Sequence, residues 1–231
     1  MSHGDGAKDR RPIERKLDPR DGPRKEAVPS EHQFASVNTR LFGRVDAVLL
    51  DRDGVISEQT AFVNQPEDFV LIEGAAEAIA RLNRAEIPVA VITNQGGIAM
   101  GYLTEEELGK IHERMRQLLA EGGAHVDGIY YCPHHPEATV PAYSGDCSCR
   151  KPNIGMLEKA RDELEIDLRK SVLVGDATTD VLAGIRAGCS TILVETGFGG
   201  KNGKAEAAPD AVVADLPAAV DLILNELQTN D

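Results

Sequence analysis

The 231-residue sequence predicts an α/β fold built on a parallel sheet with helices on both faces. Two observations lead there: short apolar runs rich in Val, Ile and Leu alternate with segments of helical period, and polar motifs stand directly after several of those runs. Strands separated by helices join as parallel strands through crossover connections, which bury both faces of the sheet. Ligands of such sheets bind at the carboxyl ends of the strands, where the strand order reverses. Residues just past the strands are therefore the place to look for chemistry.

The elements follow in order. Residues 45–50 read as a buried strand, and residues 75–85 as a helix with Ala75, Ala78, Ile79 and Leu82 on one face. Residues 89–92 form the next strand. Thr104 with Glu107 is a capping box, which opens a helix reaching about residue 120. A third strand over residues 128–131 leads into a long loop containing Pro, Gly and Cys, then a helix over about residues 154–164. Residues 171–174 and 191–194 are further strands, separated by a helix over about residues 179–187 that Gly188 closes. A short strand near Val212 and a helix over about residues 216–227 complete the pattern.

Composition sets the broad class. With 42% hydrophobic residues the chain can bury one sizeable core, and one domain over residues 45–231 is expected. Residues 1–44 are rich in charge, Pro and Gly, lack any period, and predict a disordered arm. A net charge of -13 argues against nucleic-acid or anionic-membrane partners, which need a cationic face. No apolar run approaches the roughly 20 residues that span a bilayer, and the polar N-terminus does not resemble a signal peptide. The expectation is a cytoplasmic monomer acting on a small molecule.

The first strand ends in Asp51-Arg52-Asp53-Gly54. In an extended segment residues two apart project to one side, which brings the two carboxylates together. Close carboxylates repel and retain protons unless a cation shares the site. Mg²⁺, which uses one or two carboxylates plus substrate phosphate, fits that need. Asp51 can then attack phosphorus to form an acyl phosphate. Asp53 can protonate the leaving oxygen and later take a proton from water. Read alone, the pair equally suits a solvent-facing turn, and its spacing matches part of a calcium loop whose closing acidic residue is missing.

Three further motifs follow strands. Thr93-Asn94-Gln95 offers a hydroxyl and amides to a phosphoryl group, although an Asx turn before Gly96-Gly97 has the same pattern. Lys151, next to Arg150, supplies a cation that can screen charge on the nucleophile and the transferring phosphoryl group. Gly175-Asp176 with Asp180 adds carboxylates for a metal, or a helix cap.

Asp51-x-Asp53, Thr93-Asn94, Lys151 and Asp176…Asp180 resemble, in this order, the four signature motifs of the haloacid dehalogenase-like superfamily. The resemblance runs from about residue 45 to the C-terminus. It implies a Rossmann-like three-layer sandwich and Mg²⁺ held by Asp51, the backbone carbonyl of Asp53 and the side chain of Asp176, with Asp180 in support. Asp at position 53 is the phosphatase pattern of that superfamily.

Cys132-Pro133-His134 and Cys147-Ser148-Cys149 bracket the long loop. Three thiolates and one imidazole can give Zn²⁺ four tetrahedral ligands with no open position, the mark of a structural site. Cys189 reads as a core residue, and His135 as solvent-facing or next to the ligands. With the zinc loop included, the chain resembles the heptose-bisphosphate phosphatases and the related histidinol-phosphate phosphatases. That resemblance implies a minimal cap and substrate contacts from Gln59, Thr60, Ala61, Phe62, Thr93, Asn94, Gln95, Gly96, Arg150 and Lys151. It also implies hydrolysis of a phosphorylated sugar, a heptose 1,7-bisphosphate first and histidinol phosphate second. Ala177 departs from the pattern, because the heptose enzymes typically carry a substrate-contacting Lys there. Val55 replaces a Thr common after the first motif.

Overall fold

A computed structural model of the chain describes residues 45–59, 63–202 and 207–228. The N-terminal arm expected over residues 1–44 lies outside them. Six strands form one parallel sheet in the order β3-β2-β1-β4-β5-β6. Their ranges are β1 Ala47–Leu50, β2 Val89–Asn94, β3 Gly128–Cys132, β4 Ser171–Gly175, β5 Ser190–Val194 and β6 Ala211–Val213. The helices are α1 Ala75–Arg84, α2 Glu105–Glu121, α3 Gly155–Leu164, α4 Thr178–Ala187 and α5 Leu216–Gln228. Each lies where the sequence period places it, with boundaries shifted by one or two residues as hydrogen bonding at the ends dictates.

The strands carry apolar residues on both faces because helices cover both. In β1, Val48 and Leu50 join the core formed with α1, α2 and α5, while Ala47 and Leu49 face α3 and α4. In β2, Val89 and Val91 take the first face and Ala90 and Ile92 the second. This is the period of two expected of a strand buried on both sides. The capping box at Thr104 is formed: its backbone N–H donates to Glu107 Oε2 at 2.7 Å, and its hydroxyl accepts from the Glu107 N–H at 3.2 Å. Gly188 closes α4 with φ of 80°.

This strand order reverses between β1 and β4, which lie side by side and are both followed by acidic motifs. A crevice outside the carboxyl ends of such a pair is where α/β sheets bind ligands. Among the described residues no helix is long and apolar enough to cross a membrane.

Candidate active site

Asp51 follows β1 directly, and its N–H donates to Val174 O of β4 at 2.9 Å. Asp176 follows β4 and is buried. Gly54 lets the two motifs approach: its φ is 85°, and a Cβ there would collide with the Asp176 carboxylate. Asp51, Asp176 and Asp180 each turn a carboxylate oxygen into one spot, all within 4.8 Å of one another, and could hold a cation.

Lys151 enters the same spot from the loop before α3. Its Nζ lies 3.0 Å from Asp51 Oδ1 and 2.7 Å from Asp180 Oδ1, and donates to Ile92 O at 2.6 Å. The side chain is only 1% exposed. A reciprocal pair fixes its backbone: Lys151 N–H donates to Asn94 Oδ1 at 3.0 Å, and Asn94 Nδ2 donates back to Lys151 O at 3.2 Å. Asp180 is held in turn by the first turn of α4, where Oδ2 accepts from Ala177 N–H at 3.0 Å.

The charges are mutually dependent. Burial pushes the Asp51 carboxyl up to about 7 against the pull of Lys151, with Asp180, Asp176 and Asp53 adding repulsion. Burial likewise raises Asp176 to about 6, although the Phe198 N–H donates to its Oδ2 at 2.7 Å. Burial opposes the charge on Lys151 too, but Asp180 and Asp51 outweigh it and hold the ammonium protonated. Three acidic groups facing one lysine leave a deficit of positive charge, and a divalent cation with oxygen ligands suits it.

Asp53 lines the same cavity as Asp51, with its carboxylate engaged by neighbouring side chains. β1 ends at Leu50, so the strand alternation that would aim both carboxylates the same way stops before Asp53. Its carboxylate accepts from Arg52 Nε at 2.9 Å, Arg52 Nη2 at 2.8 Å, Gln95 Nε2 at 2.9 Å and Ser57 Oγ at 3.2 Å. Burial would raise this carboxyl, but the Arg52 guanidinium and these hydrogen bonds hold it below the usual carboxylate range. Arg52 is itself buried, donating to Gln95 Oε1 at 3.0 Å and approaching His112 Nε2 at 3.3 Å. Burial, then the Arg52 charge, lowers His112 to about 3, so its Nε2 is a neutral acceptor there.

Asp51, Arg52, Asp53, Gln95, Lys151, Asp176 and Asp180 line one cavity of about 360 Å³, together with Gln59, Gly96 and Arg150. Thr93 and Gln95 are buried at its floor, and Gln95 Nε2 donates to Thr93 Oγ1 at 2.8 Å. Thr60, Ala61 and Phe62 lie outside the described residues. Sequence reading overlooked Arg52, Ser57 and His112, and also Tyr102, Phe198 and Asn202 of the cavity wall. Arg52 carried a usable signal, since a cation between two site carboxylates must pair with one of them. His112 carried none, being one polar position on the buried face of α2.

Beside the cavity, Cys132, His134, Cys147 and Cys149 present one ligand atom each within 4.8 Å of one another. Cys132 Sγ lies 3.6 Å from both His134 Nδ1 and Cys147 Sγ, and Cys149 Sγ lies 3.4 Å from His134 Nδ1 and 2.9 Å from Cys132 Sγ. Sulfurs bound tetrahedrally to zinc stand about 3.8 Å apart, close to the Cys132–Cys147 separation, and the Cys132–Cys149 pair would open by about 0.9 Å to take that ion. His135 lies outside the four and lines the cavity, and Cys189 is buried in the core. Arg150 ties the cluster to the site by donating from Nη1 to His134 O at 2.8 Å.

Comparison with known proteins agrees with this geometry. Residues 148–219 match the HAD-hydrolase-like family model. The D-glycero-beta-D-manno-heptose-1,7-bisphosphate 7-phosphatase of Photorhabdus laumondii is 42% identical over 180 residues, covering 76% of this chain and 95% of that protein. The D-glycero-D-manno-heptose-1,7-bisphosphate 7-phosphatase of Thermosynechococcus vestitus is 42% identical over 189 residues, covering 78% and 96%. The crystal structure of D,D-heptose 1,7-bisphosphate phosphatase from B. bronchiseptica, complexed with magnesium and phosphate, aligns with a TM-score of 0.71 at 36% identity, covering 79% of this chain and 99% of that one. The chain is thus a phosphoric monoester hydrolase of the haloacid dehalogenase-like fold, and it belongs to the D-glycero-D-manno-heptose-1,7-bisphosphate 7-phosphatase family.

Proposed function

We propose that the enzyme removes the 7-phosphate of D-glycero-D-manno-heptose 1,7-bisphosphate, leaving the 1-phosphate, through an aspartyl phosphate on Asp51. The observation that carries this reading is the meeting of Asp51, Lys151, Asp176 and Asp180 at one end of a small cavity. An oxygen of the Asp51 carboxylate attacks phosphorus as the bond from phosphorus to the sugar oxygen breaks. Lys151 and the amides of the loop after β2 offset the charge on the transferring group. Asp53 gives its proton to the sugar oxygen, then takes one from the water that releases phosphate and regenerates Asp51. The contact with Arg52 holds Asp53 in its anionic form, which is the form the second half-reaction needs. Delivery of a proton in the first half requires the carboxylate to leave that fork and take up a proton from solvent before the bond to the sugar oxygen breaks. Asp51, Asp176 and the backbone carbonyl of Asp53 would hold Mg²⁺, which would supply positive charge to offset that of the phosphoryl group.

We read the cysteine cluster as a closed structural zinc site. Cys149 stands two residues before Lys151, so the ion would also hold the lysine's loop in place. A stoichiometric amount of zinc is expected in metal analysis of the purified chain. Stripping zinc with a strong chelator should cost about 10- to 100-fold in activity, a loss that Mg²⁺ alone does not restore. Full activity in zinc-free protein would remove the site's role. We further read the protein as a cytoplasmic monomer binding neither nucleic acid nor membrane, in keeping with its net charge of -13.

Phosphate release from heptose 1,7-bisphosphate and from histidinol phosphate, measured side by side with Mg²⁺, tests the substrate. A preference for the bisphosphate of about a hundredfold in kcat/KM, or roughly 3 kcal/mol in the transition state, is expected. Equal or poor turnover of both would overturn the heptose assignment and leave the phosphatase chemistry standing.

A further inference from the structure

Two aromatic residues at the mouth of the cavity have no part in the chemistry above. The exposed large apolar side chains among the described residues are Val70, Tyr102, Ile185, Phe198 and Val212. Single exposed apolar residues are ordinary on a protein surface. Two of these, Tyr102 at 49% and Phe198 at 46% exposure, nevertheless line the same cavity.

The fold sets them on opposite sides of the nucleophile. Tyr102 belongs to the loop after β2 and Phe198 to the loop after β5, while β1 and β4, which carry Asp51 and Asp176, run between those strands. Both loops are well braced. Tyr102 N–H donates to Gly97 O at 2.9 Å. Phe198 sits on a turn fastened at three points: its own N–H to Asp176 Oδ2 at 2.7 Å, Gly200 N–H to Asp176 O at 2.7 Å, and Thr196 Oγ1 to Gly54 O at 2.6 Å. A loop pinned to both acidic motifs thus presents its aromatic ring outward at the mouth. A braced backbone spares the cost of ordering the loop on binding, which leaves the rotamers of the rings themselves to be immobilised.

Chemistry indicates what such rings would hold. The Phe198 N–H meets the Asp176 carboxylate, but Ala177, Thr179 and Asn202, which line the same cavity, are uncharged, and Ala177 offers no charge to a second anionic group. A sugar ring has polar edges and an apolar C–H face, and aromatic faces, electron-rich above the ring, pack well on polarised C–H groups. We propose that Tyr102 and Phe198 form a two-sided aromatic clamp that grips the sugar ring while its phosphoryl group reaches Asp51. The clamp rests on the phosphatase reading, but it does not depend on the sugar being a heptose.

The test compares phosphate release from heptose 1,7-bisphosphate and mannose 6-phosphate with that from acetyl phosphate, which has no ring. In Phe198→Ala and in Tyr102→Ala, the ratio of sugar to acetyl phosphate kcat/KM should fall about tenfold, mostly through KM, given aromatic contacts of this kind. Phe198→Trp and Tyr102→Phe, which keep a ring, should hold the ratio near that of the wild type. A ratio unchanged in both alanine variants overturns the clamp, as does an equal loss in the ring-bearing variants. The substrate reading is judged from wild-type rates alone and the clamp from variant-to-wild-type ratios, so the two fail separately.

Discussion

Replacing Asp51 with Asn is expected to reduce phosphate release by at least about 10⁴-fold while leaving the fold and zinc content intact. The amide is nearly isosteric, but it lacks the anionic oxygen that must bond to phosphorus, and loss of a nucleophile removes the path rather than slowing it. The backbone around position 51 is held independently of the carboxylate by the N–H bond to Val174 O, so local geometry should survive. The wild-type carboxyl is raised to about 7 by burial, meaning that its charge disfavours the metal-free fold. An acid with a raised folded pKa loses stability as pH climbs from its unfolded value through the folded one. The metal-free Asn variant should therefore lose less stability than the wild type between about pH 4 and pH 7. Acid-quenched wild type should carry a hydroxylamine-labile phosphate that the variant lacks. Labile phosphate on the variant, or more than about 1% residual turnover, would end the nucleophile assignment.

Lys151→Met should be damaging in a second way, through stability as well as rate. The ammonium is buried between Asp51 and Asp180 at 3.0 and 2.7 Å, and Met fills a similar volume without its charge. Removing one partner of a buried ion pair leaves the other desolvated, typically at about 3–5 kcal/mol. Here two carboxylates lose the same cation. Urea unfolding of the metal-free variant should show that loss near pH 8. The loss should shrink toward pH 5, where the stranded Asp51 carboxyl, raised by burial, can protonate. Added Mg²⁺ should recover part of the stability by binding the folded state, since it brings back positive charge. Turnover should fall about 10²- to 10³-fold, the usual effect of losing one preorganised group that stabilises transition-state charge. A stability change below about 1 kcal/mol at both pH values would show that the pair is weaker than its burial implies.

Much of the site could be read from residue order. Asp51, Thr93 and Asp176 each follow an apolar run, and a parallel sheet brings the ends of its strands to one edge regardless of their separation in sequence, whereas Lys151 reaches that edge from a polar loop. The metal-ligand spacing of Cys132, His134, Cys147 and Cys149 was legible for a similar reason: thiolate and imidazole pairs one residue apart have few other uses in a loop. Strands and helices were legible because periods of 2 and 3.6 are imposed by backbone geometry before any tertiary contact forms.

Local sequence thus encodes the order of elements, the carboxylate and lysine set, and the cysteine and histidine cluster. Tertiary structure alone decided which way the Asp53 carboxylate turns. That depends on Arg52, Gln95 and Ser57 competing for it, and no local spacing encodes the outcome of that competition. It also decided that His112 of α2 meets Arg52, sixty residues earlier in the chain, and that Phe198 and Tyr102 share the mouth of one cavity. The physical reason is one of range. Periodicity and motif order arise from the backbone and near neighbours, whereas the direction of a side chain in a site depends on whichever distant groups the packed sheet brings within about 3 Å of it.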